Sequence, residues 1–162
     1  MTDMTGLAEQ LGEALLAQGR VLATAESCTG GWMAKLVTDI AGSSQWFDRG
    51  FVTYSNAAKQ DMLGVSGAML ETGGAVSEPT VAAMAGGALD NSLADVALAI
   101  SGIAGPGGER PGKPVGTVCF AWQQRGHGPR VETRHFSGDR NNVRQQAVIY
   151  AIEVLLGELG SI

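Results

Sequence analysis

The hydrophobic positions along the chain change period several times, and each change marks an element. Leu7, Leu11 and Leu15 recur every four residues up to Gly19, the spacing of an amphipathic helix with a glycine stop. Residues 20–26, "RVLATAE", form a short apolar run and predict a buried strand. Residues 30–42 return to helical spacing, with Trp32, Leu36 and Ile40 on one stripe. Residues 46–54, "WFDRGFVTY", read as a second strand broken by Gly50. A short helix follows with Ser55 as its N-cap, then another within "SGAMLETGG", then a helix over 77–92 opened by Ser77 and Pro79. "ADVALAISG" (94–102) is the strongest strand candidate. "VGTVCFAWQQ" and "VETRHFS", joined by a glycine-rich turn, predict an antiparallel hairpin. Residues 139–159 close the pattern as a long helix capped by Asp139, with Val143, Ala147, Tyr150 and Val154 facing inward.

Strands alternating with helices and one late hairpin predict an α/β fold. The expected architecture is a three-layer α/β/α sandwich on a mixed, mostly parallel sheet, with a single domain over 1–162. In such open sheets the ligand crevice lies beyond the carboxyl ends of the strands. Three glycine-flanked segments fall there: 26–31, 53–59 and 101–109.

Composition narrows the function classes. A net charge of −5 argues against a nucleic-acid partner, which calls for a basic face. No apolar run reaches the length of a membrane span, and the first residues lack a secretory pattern, so a cytoplasmic protein with no membrane partner is expected. Two cysteines and two histidines, without ligand spacing, predict no metal site.

Three stretches can carry chemistry. "ESCTGG" (26–31) ends a strand and feeds a helix. It reads as an anion cradle at a helix start, a nucleophile mount on Ser27, or a turn capped by Ser27 or Thr29. Cys28 within it is either a nucleophile or a small buried hydrophobe. "YSNAAK" places Lys59 near the positive end of its own helix, where it reads either as a general base, if burial lowers its pKa, or as a solvated surface lysine. Tyr54, ending the strand before it, either relays a proton or holds the lysine, or is a half-buried strand tyrosine. Ser43 and Ser44, between helix and strand, are available hydroxyls, and a Ser-Lys pairing has more support than a Ser-His triad. Arg140 and Arg144, one turn apart, read equally as a pair suited to a phosphate or carboxylate and as ordinary surface arginines.

Taken in order, "AESCTGGWMAKLVTDIAGSSQWFDRGFVTYSNAAKQDMLGV", "AVSEPTVAAMA", "SGIAGPGG", "KPVGTV" and "FSGDRNNVRQQAV" resemble the CinA C-terminal domain family, in its stand-alone nicotinamide-nucleotide amidase form. The resemblance implies a three-layer α/β/α fold. It also implies hydrolysis of the carboxamide of nicotinamide mononucleotide to nicotinate mononucleotide and ammonia, by a Ser-Lys pair and with no cofactor or metal. Carried onto this chain, it makes Ser44 the nucleophile and Lys59 its base, with Tyr54 assisting and Ser27 the competing nucleophile. Thr29, Gly30 and Gly31 would line the site, and Ser101, Gly102 and Arg140 would hold the nucleotide part. The expected partner is the small nucleotide substrate, in a homodimer. Where the family usually continues with a third glycine and a threonine, this chain has Glu109 and Arg110, which leaves substrate preference open. Two other functions fit the same residues: a nucleotide-binding module without turnover, and an amidase for another small carboxamide.

Overall fold

The computed structural model describes residues 2–160, so the outermost residues of the expected 1–162 domain lie outside it. Its elements follow the predicted order: α1 (Met4–Ala17), β1 (Leu22–Glu26), α2 (Trp32–Thr38), a 3-10 turn (Ser43–Gln45), β2 (Phe47–Val52), α3 (Asn56–Leu63), α4 (Gly67–Gly73), α5 (Glu78–Asp90), β3 (Val96–Gly102), β4 (Thr117–Gln124), β5 (Arg130–His135) and α6 (Arg140–Gly160). The sheet order is β2-β1-β3-β4-β5. β1 runs parallel to both neighbours, and β4 and β5 add antiparallel pairs at one side. This is the expected mixed sheet with its late hairpin.

Residue size along the strands decides which helices lie on which face. In β1, β3 and β4 large and small side chains alternate, and strand period two sends them to opposite faces. Leu22, Val96, Leu98, Ile100, Val118, Phe120 and Trp122 pack with α1, α2 and α6. Ala23, Ala25, Ala97, Ala99, Cys119 and Ala121 meet α3, α4 and α5. The alanine face lets α5 settle close to the sheet. α5 is also tight against α3: a Cβ on Gly87 would sit 2.0 Å from the Leu63 carbonyl oxygen. Bulk on one face is thus matched by close approach on the other.

Gly50 does not break the second strand. It lies inside β2, paired with Thr24 of β1, and a Cβ there would stand 2.8 Å from Thr24 Oγ1 and 3.1 Å from the Ala34 Cβ. The glycine allows α2 to lie against the strand pair rather than interrupting it.

The chain leaves β1 to form α2 on one face and leaves β2 to form α3 on the other. This divergence opens a crevice beyond the carboxyl ends of the parallel strands.

Candidate active site

Two residues meet in that crevice. Ser27 follows the last residue of β1, and Lys59 is the fourth residue of α3. Ser55 caps α3 by accepting the Ala58 N–H at 3.0 Å, so the helix starts where the sequence predicts. From there Lys59 turns inward and is 1% exposed. Its Nζ lies 2.9 Å from Ser27 Oγ, 3.0 Å from the Thr53 carbonyl and 3.4 Å from the Tyr54 carbonyl. No carboxylate ion-pairs with it among the described residues. Burial therefore pushes its pKa below the ordinary lysine range, opposed weakly by the Cys28 thiolate form. A lysine so placed can hold its nitrogen neutral beside a serine hydroxyl. That is the arrangement of a nucleophile and its base.

The turn carrying Ser27 is held from three sides. Glu26, 1% exposed, accepts the Thr29 hydroxyl at 2.7 Å and the backbone N–H groups of Met33 at 2.8 Å and Ala34 at 3.0 Å. Arg144 donates to the Cys28 carbonyl at 2.9 Å and the Thr29 carbonyl at 3.1 Å, with its guanidinium over the Trp32 ring. Gly30 (φ 59°) and Gly31 (φ 99°) take the left-handed conformation that the reversal requires. The Ser27 N–H donates to the Ile100 carbonyl of β3, which ties the turn to the sheet.

These bonds correct several expectations. α2 is capped by Gly31 with no side-chain bond from Ser27 or Thr29, and its Met33 and Ala34 N–H groups are spent on Glu26. "ESCTGG" is therefore no anion cradle at that helix end, because the chain brings its own carboxylate to it. Thr29 is fully buried and serves Glu26, and Thr29, Gly30 and Gly31 shape the turn without lining the cavity. Ser44 stands exposed in the 3-10 turn before β2, whereas Lys59 follows that strand. A six-residue strand spans about 20 Å, so Ser44 cannot reach Lys59. Arg144 is occupied by the turn's carbonyls and does not pair with Arg140 toward a ligand. Cys28 is buried, and burial pushes its thiol up to about 12, so it stays protonated at neutral pH.

Beside Ser27 and Lys59 opens a cavity of about 720 Å³, a size that suits a small-molecule ligand. Ser101 and Gly102, at the end of β3, form part of its wall. Arg140 stands at the rim, donating to the Gly105 carbonyl at 2.7 Å and the Tyr54 hydroxyl at 3.2 Å. Tyr54 thus meets the pair through its main-chain carbonyl, which also accepts from Ser27 Oγ at 3.4 Å, while its phenol is turned to Arg140. Glu26 was missed as a site residue. Its signal was a lone carboxylate closing a strand buried at every position. Lys113 was also missed; it reaches the cavity from the long loop after β3. Among the described residues no cluster of three metal-ligating side chains exists, and no helix is long and apolar enough to cross a membrane.

Comparison with known proteins gives the family and the fold of the chain. The model of the CinA C-terminal domain family matches residues 4–159. The nicotinamide-nucleotide amidohydrolase PncC of Escherichia coli K12 is 58% identical over 159 residues, covering 96% of this chain and 95% of that protein. The protein of the same name from Pseudomonas putida is 50% identical, with 99% of each covered. A crystal structure of a competence-damaged protein (CinA) superfamily member from Klebsiella pneumoniae superposes with a TM-score of 0.96 at 40% identity, covering 99% of this chain and all of that one.

Proposed function

The chain belongs to the CinA C-terminal domain family, and on that premise we propose that it hydrolyses nicotinamide mononucleotide to nicotinate mononucleotide and ammonia, with Ser27 as nucleophile and Lys59 as its base. The observation that carries this reading is the 2.9 Å contact between Ser27 Oγ and a fully buried lysine with no carboxylate partner. The amidohydrolase names borne by relatives that match almost end to end supply the reaction class.

Ser27 Oγ adds to the carboxamide carbon as its proton passes to Lys59 Nζ. The oxyanion that forms calls for hydrogen-bond donors aimed at it from the cavity wall, which Ala104 helps to form. Collapse of the adduct breaks the C–N bond, and the leaving nitrogen takes the proton from Lys59 and departs as ammonia. Water then adds to the Ser27 ester, with Lys59 accepting its proton and returning one to Ser27 Oγ. The acid is released and the pair is restored. Lys59 serves both as acceptor and donor because burial keeps its pKa below the ordinary lysine range.

Ammonia release by the wild type, Ser27→Ala, Lys59→Ala and Ser44→Ala tests the assignment. The first two substitutions are expected to lower kcat by about a hundredfold or more, the scale of lost nucleophile and base catalysis. Ser44→Ala is expected to stay near the wild-type rate. Turnover that survives Ser27→Ala but not Ser44→Ala would refute the pairing, and a wild type that binds nucleotide without releasing ammonia would make the chain a binding module.

A further inference from the structure

Resting on the reading just given, we infer that Arg110 and Lys113, from the long loop after β3, join Arg140 as the groups that select a phosphorylated substrate over its dephosphorylated nucleoside. Arg110, Lys113 and Arg140 all lie on the wall of the cavity that holds Ser27 and Lys59. The ion pairs of the described fold are Lys35–Asp39, Arg49–Asp48, Arg130–Glu132 and Arg130–Glu158, so these three cations have no carboxylate partner among the described residues.

What they touch instead is neutral. Lys113 Nζ donates to the Gly73 carbonyl at 2.7 Å, Arg110 to the carbonyls of Gly108 and Glu109, and Arg140 to the Gly105 carbonyl and the Tyr54 hydroxyl. Carbonyl contacts orient a cation without cancelling its charge. In a chain of net charge −5, three unneutralised cations around one opening form a local positive field against the overall balance. Glu71 is the one carboxylate residue on that wall among the described residues, and it is exposed on α4. Glu109 is exposed and absent from the wall, whereas Arg110 next to it is present. The "GGER" departure therefore adds a cation to the pocket rather than a repelling anion.

The loop is braced where this requires it. Arg110 and Lys113 face each other in a β-bridge, bonded N–H to carbonyl in both directions at 3.0 and 2.8 Å. The bridge holds both side chains on one short hairpin. Lys113 ties that hairpin to the end of α4, and Arg140 ties the start of the loop to α6. A dianionic phosphomonoester has enough acceptor oxygens for several such donors at once, and its charge-assisted hydrogen bonds are stronger than bonds to carbonyls.

The test compares nicotinamide mononucleotide with nicotinamide riboside, which lacks only the phosphate, for the wild type, Arg110→Ala and Lys113→Ala. Each substitution is expected to raise KM for the mononucleotide about tenfold or more, the scale of one hydrogen bond to a charged group, and to affect the riboside far less. The mononucleotide advantage should also shrink with added salt. Titration calorimetry with a nucleoside monophosphate gives a second readout independent of turnover, and Arg110, exposed, serves as the variant that leaves the fold intact. Equal losses for both substrates, or equal phosphate-dependent affinity in wild type and variants, would overturn the inference. Charge-dependent nucleotide binding without ammonia release would uphold it while refuting the amidase.

Discussion

Replacing Lys59 with methionine probes both the chemistry and the fold, because the same burial governs each. Methionine fills a similar volume without a charge, so the α3 packing around a residue 1% exposed is preserved. The loss to catalysis is that of a general base, about 10²–10⁴ in kcat, or about 3–5 kcal/mol of transition-state stabilisation. Stability moves less. The Thr53 carbonyl at 3.0 Å loses its lysine donor, at a cost of about 1–3 kcal/mol, while removal of a buried amine returns energy of similar size. A net change within about 2 kcal/mol is expected.

The pH dependence separates this account from simple packing. Folding lowers the Lys59 pKa below its unfolded value, so between the two the unfolded chain holds more protons and stability rises with pH. The contribution is present above the unfolded pKa and is lost as pH falls through the folded one, with a slope of up to about 1.4 kcal/mol per pH unit. The thiols of Cys28 and Cys119, both raised by burial, act in the opposite sense as the unfolded thiols ionise. Both thiols are common to wild type and Lys59→Met, so subtracting one stability profile from the other leaves the Lys59 part. Denaturant unfolding of wild type and Lys59→Met from about pH 6 up to the ordinary lysine pKa of about 10.4, beside kcat over the same range, measures both effects. The wild-type rate should rise with pH as Lys59 loses its proton, and the variant should lose both this rise and the Lys59 part of the stability slope. A Lys59→Met variant with more than about a tenth of wild-type turnover, or an unchanged stability slope, would refute the reasoning.

Two further substitutions test the frame around the site. Glu26→Ala removes the acceptor for one hydroxyl and two N–H groups, and is expected to cost about 2–4 kcal/mol in stability by denaturant unfolding. Ammonia release should show a fall in kcat larger than any change in KM, because the turn positions Ser27 rather than the nucleotide end; a KM effect alone would contradict this. Gly87→Ala would force a Cβ to within 2.0 Å of the Leu63 carbonyl oxygen, separating α3 from α5. Thermal unfolding should register about 2 kcal/mol or more of destabilisation, and a neutral result would show that the contact yields easily.

Much of this protein is determined locally and could be read without coordinates. Helical spacing in Leu7, Leu11 and Leu15, the caps at Ser55 and Ser77, and the alternating large and small residues of β1, β3 and β4 specify elements and faces, because periodicity and capping act within a few residues. The same local logic brings 26–31, 53–59 and 101–109 to strand ends and so to one crevice. Whether Lys59 meets Ser27 or Ser44 is not local. Both serines stand in small-residue turns, and they differ in which end of the parallel strands they occupy; only sheet pairing decides that. The use of Glu26 on the start of α2, of Arg144 on the turn, and of Arg110 and Lys113 around the cavity is likewise tertiary. A charged side chain has many partners open to it in an unfolded chain, and its choice depends on which burial leaves it the fewest unmet bonds. The sequence determines which residues are capable of the chemistry, and the fold decides which of them are brought within 3 Å.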